Sequence, residues 1–245
     1  MPHSFVCPHG GPDCPGWYTL NVPFGHPDFG RSFPCECARY QRAEQLRRDL
    51  PAALARKQFD TFEVNAQNRV AVEAARAFAG ADPVAGWLTL GGTVGNGKTH
   101  LAAAITNTLL ERGVPVMLCA VPALLDEWRA TFAPQSGVAF DDHFEAIRSS
   151  EVLVLDDLGA ESATAWAQDK LYQLFDHRYV HRLPTVITTN ARWMDIPERI
   201  RSRLSDSELG RVVVNAAPDY RSAEGKKAYT ARKQPEAEVE RGAHA

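Results

Sequence analysis

No apolar run in this sequence approaches the roughly 18–20 residues that a helix needs to cross a bilayer. Residues 1–7, MPHSFVC, lack the basic stretch and apolar core of a secretory signal. An excess of one charge is missing too: the formal net charge is −3, so any nucleic-acid contact has to come from a local patch. No internal repeat occurs. Cysteine is scarce beyond residue 40, where Cys119 stands alone in an apolar segment and reads as core packing. Five cysteines in 245 residues, four of them before residue 40, do not make a secreted disulfide framework. Clustered thiols of this kind read as metal ligands, and the expected location is the cytoplasm, with no membrane partner. What remains, 44% hydrophobic and 23% charged residues, suits one medium α/β domain plus a small module.

Three regions follow. Residues 1–38 are rich in Pro, Gly, Cys and His without helical period, and such a segment needs a staple to hold a fold. Residues 39–57 read as a polar connector helix interrupted at Pro51. Residues 58–221 alternate strands (87–90, 115–121, 152–155, 185–188, 211–214) with helical stretches (66–79, 99–112, 122–132, 141–149, 163–182, 195–205). That alternation predicts an α/β fold with a mostly parallel five-stranded sheet and helices on both faces. Residues 222–245 are polar and read as a disordered tail.

Residues 92–99 read GTVGNGKT, a G-x-x-x-x-G-K-T phosphate loop between an apolar strand and a helix. The candidate nucleotide-binding set is Gly92, Thr93, Val94, Gly95, Asn96, Gly97, Lys98, Thr99 and His100. The glycines let backbone N–H groups turn toward phosphate oxygens, and the helix start adds its positive dipole end. Lys98 would meet the β- and γ-phosphates and the Thr99 hydroxyl a Mg²⁺ ion. Over 151–161 the sequence EVLVLDDLGAE is a buried strand ending in carboxylates. Asp156 is placed for the Mg²⁺ shell and Asp157 for orienting the attacking water. Glu161 is either a second acidic group near the site or a helix-start residue. TVITTN at 185–190 ends another apolar strand in Asn190, whose amide can bind a water or the γ-phosphate.

In IPERIRSRL, 196–204, Arg199 and Arg203 share a helix face. They either coat a solvent face or supply an arginine finger to a neighbouring subunit. Arg221, in PDYR at 218–221, is placed to reach the nucleotide of its own subunit. Cys7, Cys14, Cys35 and Cys37 are candidate Zn²⁺ ligands, with His9 or His26 as substitutes. Their spacing, Cys-x₆-Cys then Cys-x-Cys, departs from the usual Cys-x₂-Cys, and free thiols are the other reading. Lys170, Arg178 and Arg182 are basic positions that either touch DNA or form a solvated face.

This set of motifs, over about residues 59–221, resembles the AAA+ ATPases of the DnaC/DnaI/IstB group. The resemblance implies a P-loop ATPase of the AAA+ fold using ATP and Mg²⁺, with Arg203 rather than Arg199 as the finger and Arg221 as sensor 2. Asn96 and its neighbours depart slightly from the commoner Gly-Thr-Gly before Lys. The Cys-bearing leader, with GHPDFG at 25–30 and PCEC at 34–37, looks like that of bacterial and phage helicase loaders. It implies an ATP-dependent loader of a DnaB-type replicative helicase onto single-stranded DNA, self-associating through the ATPase domain, with residues 1–57 gripping the helicase. Two other readings stay open: an IstB-like transposition helper on duplex DNA, and a nucleotide-gated adaptor with negligible turnover. Asp157 and Asn190 speak against the last, since a pure switch needs no water-orienting pair.

Overall fold

The computed structural model describes residues 14, 16–27, 29–131, 140–159 and 164–221. Cys7, His9, Glu161 and the tail 222–245 lie outside them. A short antiparallel hairpin, β1 (Trp17–Thr19) with β2 (Ser32–Pro34), leads into α1 (Glu36–Asp49) and the single turn α2 (Ala52–Ala55). The connector expected over 39–57 is thus two helices, parted at Leu50–Pro51, because Pro51 has no N–H to continue the ladder. It packs inward: Ala43 is fully buried in the core.

A 3₁₀ turn, Phe59–Thr61, precedes α3 (Arg69–Gly80), whose buried Ala71, Val72, Ala75, Phe78 and Ala79 follow the helical period. The main sheet then forms from β3 (Trp87–Gly91), β4 (Val116–Ala120), β5 (Val152–Leu158), β6 (Thr185–Thr189) and β7 (Gly210–Val214). All its pairings are parallel and the order is β4-β5-β6-β3-β7. Between strands run α4 (Lys98–Glu111), α5 (Val121–Thr131), α6 (Phe140–Arg148), α7 (Ala165–Val180) and α8 (Glu198–Leu204).

Strand alternation divides the core in two. Leu88, Val152, Val154 and Val186 join α1, α3 and α4 on one face, while Trp87, Leu153, Leu155 and Ile187 join α5–α8 on the other. Helices on both faces explain why the strands read as continuous apolar runs. The strands all run the same way, so their C-terminal ends gather at one edge, where parallel sheets place their ligands.

Arg178, a basic position on α7, is neither a DNA contact nor part of a solvated face: it is fully buried. Its guanidinium donates to Arg148 O (3.0 Å), Ser150 O (2.9 Å), Pro184 O (2.7 Å) and Thr185 Oγ1 (2.9 Å), tying the α6–β5 junction to the start of β6. Burial pushes it down to about 9. Cys119 sits in β4 as core packing, its thiol pushed up to about 12 by burial. Among the described residues no helix is long and apolar enough to cross a membrane.

Candidate nucleotide-binding cleft

The C-terminal ends of β3, β5 and β6 open onto one cleft of about 420 Å³. Val94, Gly95, Asn96, Gly97, Lys98, Thr99 and His100 line it from the phosphate loop, Asp156 and Asp157 from β5, Asn190 from beyond β6, and Tyr220 and Arg221 from beyond β7. Lys57, Thr61, Phe62 and Glu63 close the remaining wall. Gly92 and Thr93 serve differently, offering their carbonyls to Lys98 Nζ at 2.9 and 2.6 Å.

The loop is braced from three sides. Asn96 Oδ1 accepts from Lys98 Nζ at 2.9 Å, while its Nδ2 donates to Asn215 O at 2.7 Å. Asn215 returns the bond, Nδ2 to Asn96 O at 2.8 Å. Gly95 has φ +76°, and a Cβ there would fall 1.7 Å from Asp219 Oδ1, so only glycine lets the segment after β7 lie on the loop. Tyr220 N–H donates to Gly95 O at 3.0 Å and Arg221 N–H to Asp219 Oδ1 at 2.8 Å. Burial pushes the Lys98 ammonium down to about 8, against the pull of Asp157 and Asp156.

The carboxylates owe their placement to an irregularity. Leu155 pairs with Ile187 but Leu158 with Thr189, so the β5–β6 register shifts at Asp156 and Asp157. Asp157 takes φ +65°, costly for a residue with a Cβ. Thr188 meets the displaced groups, its Oγ1 accepting from Asp157 N–H at 2.9 Å and donating to Asp156 Oδ1 at 2.6 Å. Thr189 Oγ1 likewise donates to Leu158 O at 2.6 Å. The Asn190 amide donates to Asp157 Oδ1. Acidic oxygens beside the Thr99 end of α4 form a hard donor set that suits Mg²⁺, while loop N–H groups, Lys98 and Arg221 suit phosphate.

Reasoning from the sequence missed Thr188, Asn215, Asp219 and the Lys57–Glu63 wall. For Asn215 a signal existed, a polar residue ending an apolar strand as Asn190 does. For Phe62 there was none.

Arg199 and Arg203 stand outside this cleft, on α8. Arg203 ion-pairs with Asp176, donates to Tyr172 Oη at 3.2 Å and stacks on the Tyr172 and Tyr179 rings. Arg199 is exposed and lies over Tyr172, 5.3 Å from its ring centre. Near the N-terminus the Sγ atoms of Cys14, Cys35 and Cys37 converge within 4.8 Å of one another, all three residues buried. Cys35 N–H donates to Gly16 O at 2.9 Å, fixing the hairpin end. Three soft sulfur donors at this separation suit three of the four positions of a tetrahedral Zn²⁺, and the candidate fourth, Cys7, lies outside the described residues.

Comparison with known proteins shows the family. The family model for IstB-like ATP binding proteins matches residues 36–215. The chain is 32% identical over 124 residues to the replicative helicase loader DnaI of Bacillus subtilis (strain 168), covering 50% of this chain and 38% of that protein. It is 30% identical over 115 residues to the replicative helicase loader DnaC of Escherichia coli (strain K12), 47% of this chain and 46% of that one. The matches thus span less than half the length of either curated relative. A crystal structure of DnaI superposes with TM-score 0.57 at 27% identity, over 69% of this chain and 93% of that one. The crystal structure of the DnaC helicase loader superposes with TM-score 0.59 at 23% identity, over 67% and 99%, a likeness of fold. With its family match spanning most of the sequence and its cleft built from the phosphate loop outward, the chain belongs to the IstB-like ATP-binding proteins.

Proposed function

We propose that this protein is an ATP-dependent loader of a DnaB-type replicative helicase onto single-stranded DNA. The observation that carries this reading is its identity of 30% or more to two proteins each named as a replicative helicase loader. ATP would lie with its phosphates on residues 92–99 and its nucleoside toward Phe62. Thr99 and Asp156 would hold Mg²⁺, which would supply positive charge to offset that of the phosphates. Asp157 orients the attacking water, Asn190 bonds that water or the γ-phosphate, and Lys98 and Arg221 neutralise phosphate charge on the same subunit.

Arg203 acts on a neighbouring subunit's γ-phosphate as the finger, so that ATP orders a junction between copies and hydrolysis dissolves it. To do so the Arg203 side chain would leave the ion pair it makes with Asp176. Residues 1–57, with Zn²⁺ on Cys14, Cys35, Cys37 and Cys7, form the grip on the helicase. Residues 58–221 are the ATPase domain and 222–245 a polar tail.

A transposition helper on duplex DNA is the second reading, favoured by the family model's own description as IstB-like. Pull-down of a DnaB-type helicase together with ATP turnover, on the full chain and on a deletion of residues 1–57, decides between them. The loader reading expects helicase capture that the deletion abolishes while ATP binding persists. Filaments on duplex DNA with ATP, and no helicase capture, would replace it with the helper. Capture with turnover near zero, even with helicase and DNA present, would make the protein a nucleotide-gated adaptor.

A further inference from the structure

The N-terminal arm follows the phosphate-loop helix from one end to the other. Tyr40 on α1 lies against Gly113, just past α4, where a Cβ would come 2.5 Å from Tyr40 Cδ2. Further along, Asn107 Nδ2 reaches Leu54 O at 3.0 Å and Lys57 O at 2.8 Å. About two turns nearer the loop, His100 Nε2 is 2.9 Å from Gln58 O. At the loop itself Phe62 meets the His100 ring edge-on, centroids 5.1 Å apart, and lies so close to Gly97 that a Cβ there would be 2.6 Å from Phe62 Cε2.

These polar contacts are not incidental packing. Asn107 is 4% exposed in a helix whose other buried residues are mostly Ala, Leu and Ile. An amide there costs stability unless it is paired, and its pairing goes to the carbonyls of Leu54 and Lys57, at the end of α2 and just beyond it. Because a carbonyl can only accept, Gln58 O requires the His100 proton on Nε2. Thr61 Oγ1 donates to the same carbonyl at 3.0 Å and accepts from Gln58 N–H at 3.1 Å, closing the turn.

We propose that His100 and Asn107 are positioning residues for the nucleoside of ATP. They pin residues 54–61 to the helix that carries the phosphate loop, and so fix Lys57, Thr61, Phe62 and Glu63 as the nucleoside wall. His100 thereby acts through the wall and not on phosphate. The inference rests on the ATP-binding reading of the cleft.

Calorimetry on the full chain with Mg²⁺ present, using ATP and inorganic triphosphate as separate ligands, tests it. His100→Ala and Asn107→Ala are each expected to weaken ATP about tenfold, the scale of one or two hydrogen bonds, and to leave triphosphate within about twofold. His100→Gln, which keeps a donor near Gln58 O, is expected to recover most of the ATP affinity. Equal weakening of both ligands, or unchanged ATP affinity in both alanine variants, overturns the proposal. Should His100→Ala not fold, His100→Asn, whose amide stops short of Gln58 O, is read against the same two ligands with the same expectations. Wild-type protein that binds triphosphate but gains nothing from the nucleoside also overturns it; wild-type protein that binds neither removes the ATP-binding reading itself.

Discussion

Asn96 and Asn215 exchange hydrogen bonds across the base of the phosphate loop, each side-chain amide donating to the other's backbone carbonyl, at 2.7 and 2.8 Å. The pair is nearly or wholly sealed from solvent, 1% and 0% exposed. It joins the loop to the strand end from which Asp219 and Arg221 extend. Asn96 also holds Lys98, so the bond network runs from the end of β7 to the Lys98 ammonium.

Replacing Asn215 by Ala removes its donor to Asn96 O and its acceptor for Ala217 N–H, both buried. The expected loss is about 2 kcal/mol of stability, or about 4–8 °C in Tm, together with weaker ATP binding. Thermal melts and calorimetry check both halves; an unchanged Tm would mean that solvent or a neighbour takes over the orphaned groups.

Asp157→Asn keeps the size and polarity of the side chain but removes the charge proposed to polarise water. Expected is a turnover drop of about a hundredfold or more with ATP affinity largely kept, whereas Lys98→Ala loses ATP binding as well. Single-turnover hydrolysis and equilibrium binding separate the two. Undiminished turnover in Asp157→Asn would remove the residue from the reaction.

If Arg203 acts in trans, neither Arg203→Ala nor Lys98→Ala turns over alone, yet mixing them restores activity. A junction then pairs the intact cleft of one variant with the intact arginine of the other. No recovery on mixing, with assembly confirmed by light scattering, would leave Arg203 as the α7–α8 brace that its contacts with Asp176 and Tyr172 already make it.

Thiol chemistry distinguishes the cysteines. With its thiol pushed up to about 12 by burial, Cys119 stays protonated at neutral pH and is expected to alkylate only after denaturation. If Cys14, Cys35 and Cys37 hold zinc as proposed, they become reactive once a chelator removes it, read by mass spectrometry of labelled peptides. Equal labelling with and without chelator, in protein free of zinc by elemental analysis, would make them ordinary thiols.

Arg178→Ala strips partners from the carbonyls of Arg148, Ser150 and Pro184 at once. A loss of about 3 kcal/mol is expected, with DNA affinity unaltered because the guanidinium never reaches the surface. Denaturant melts and a DNA titration read the two effects. Weaker DNA binding at unchanged stability would contradict the buried role.

Much of the site could be read from residue order because its parts are local. A phosphate loop is eight consecutive residues between a strand and a helix, and apolar runs ending in Asp156–Asp157 and Asn190 mark strands that reach the ligand edge. What escaped depends on distant segments meeting. Thr188 matters because a register shift in β5–β6 leaves Asp157 N–H and Asp156 Oδ1 beside its hydroxyl, and a register shift leaves no mark in hydrophobic pattern. Arg178 has the composition of a surface residue, and only the meeting of α6, β5 and β6 around it makes it a buried cap.

By itself the sequence determined the parallel α/β sheet, the phosphate loop with its following helix, and the carboxylates and amide that face it, since each rests on short-range periodicity and turn chemistry. Only the tertiary structure decided that the 39–57 segment runs along α4, that Phe62 forms a wall of the cleft, that Asn215 locks the loop, and that Arg203 is held by Asp176. Those relationships are contacts between residues up to 119 positions apart. They arise where packed helices and strand ends bring polar groups out of water and each must find a partner.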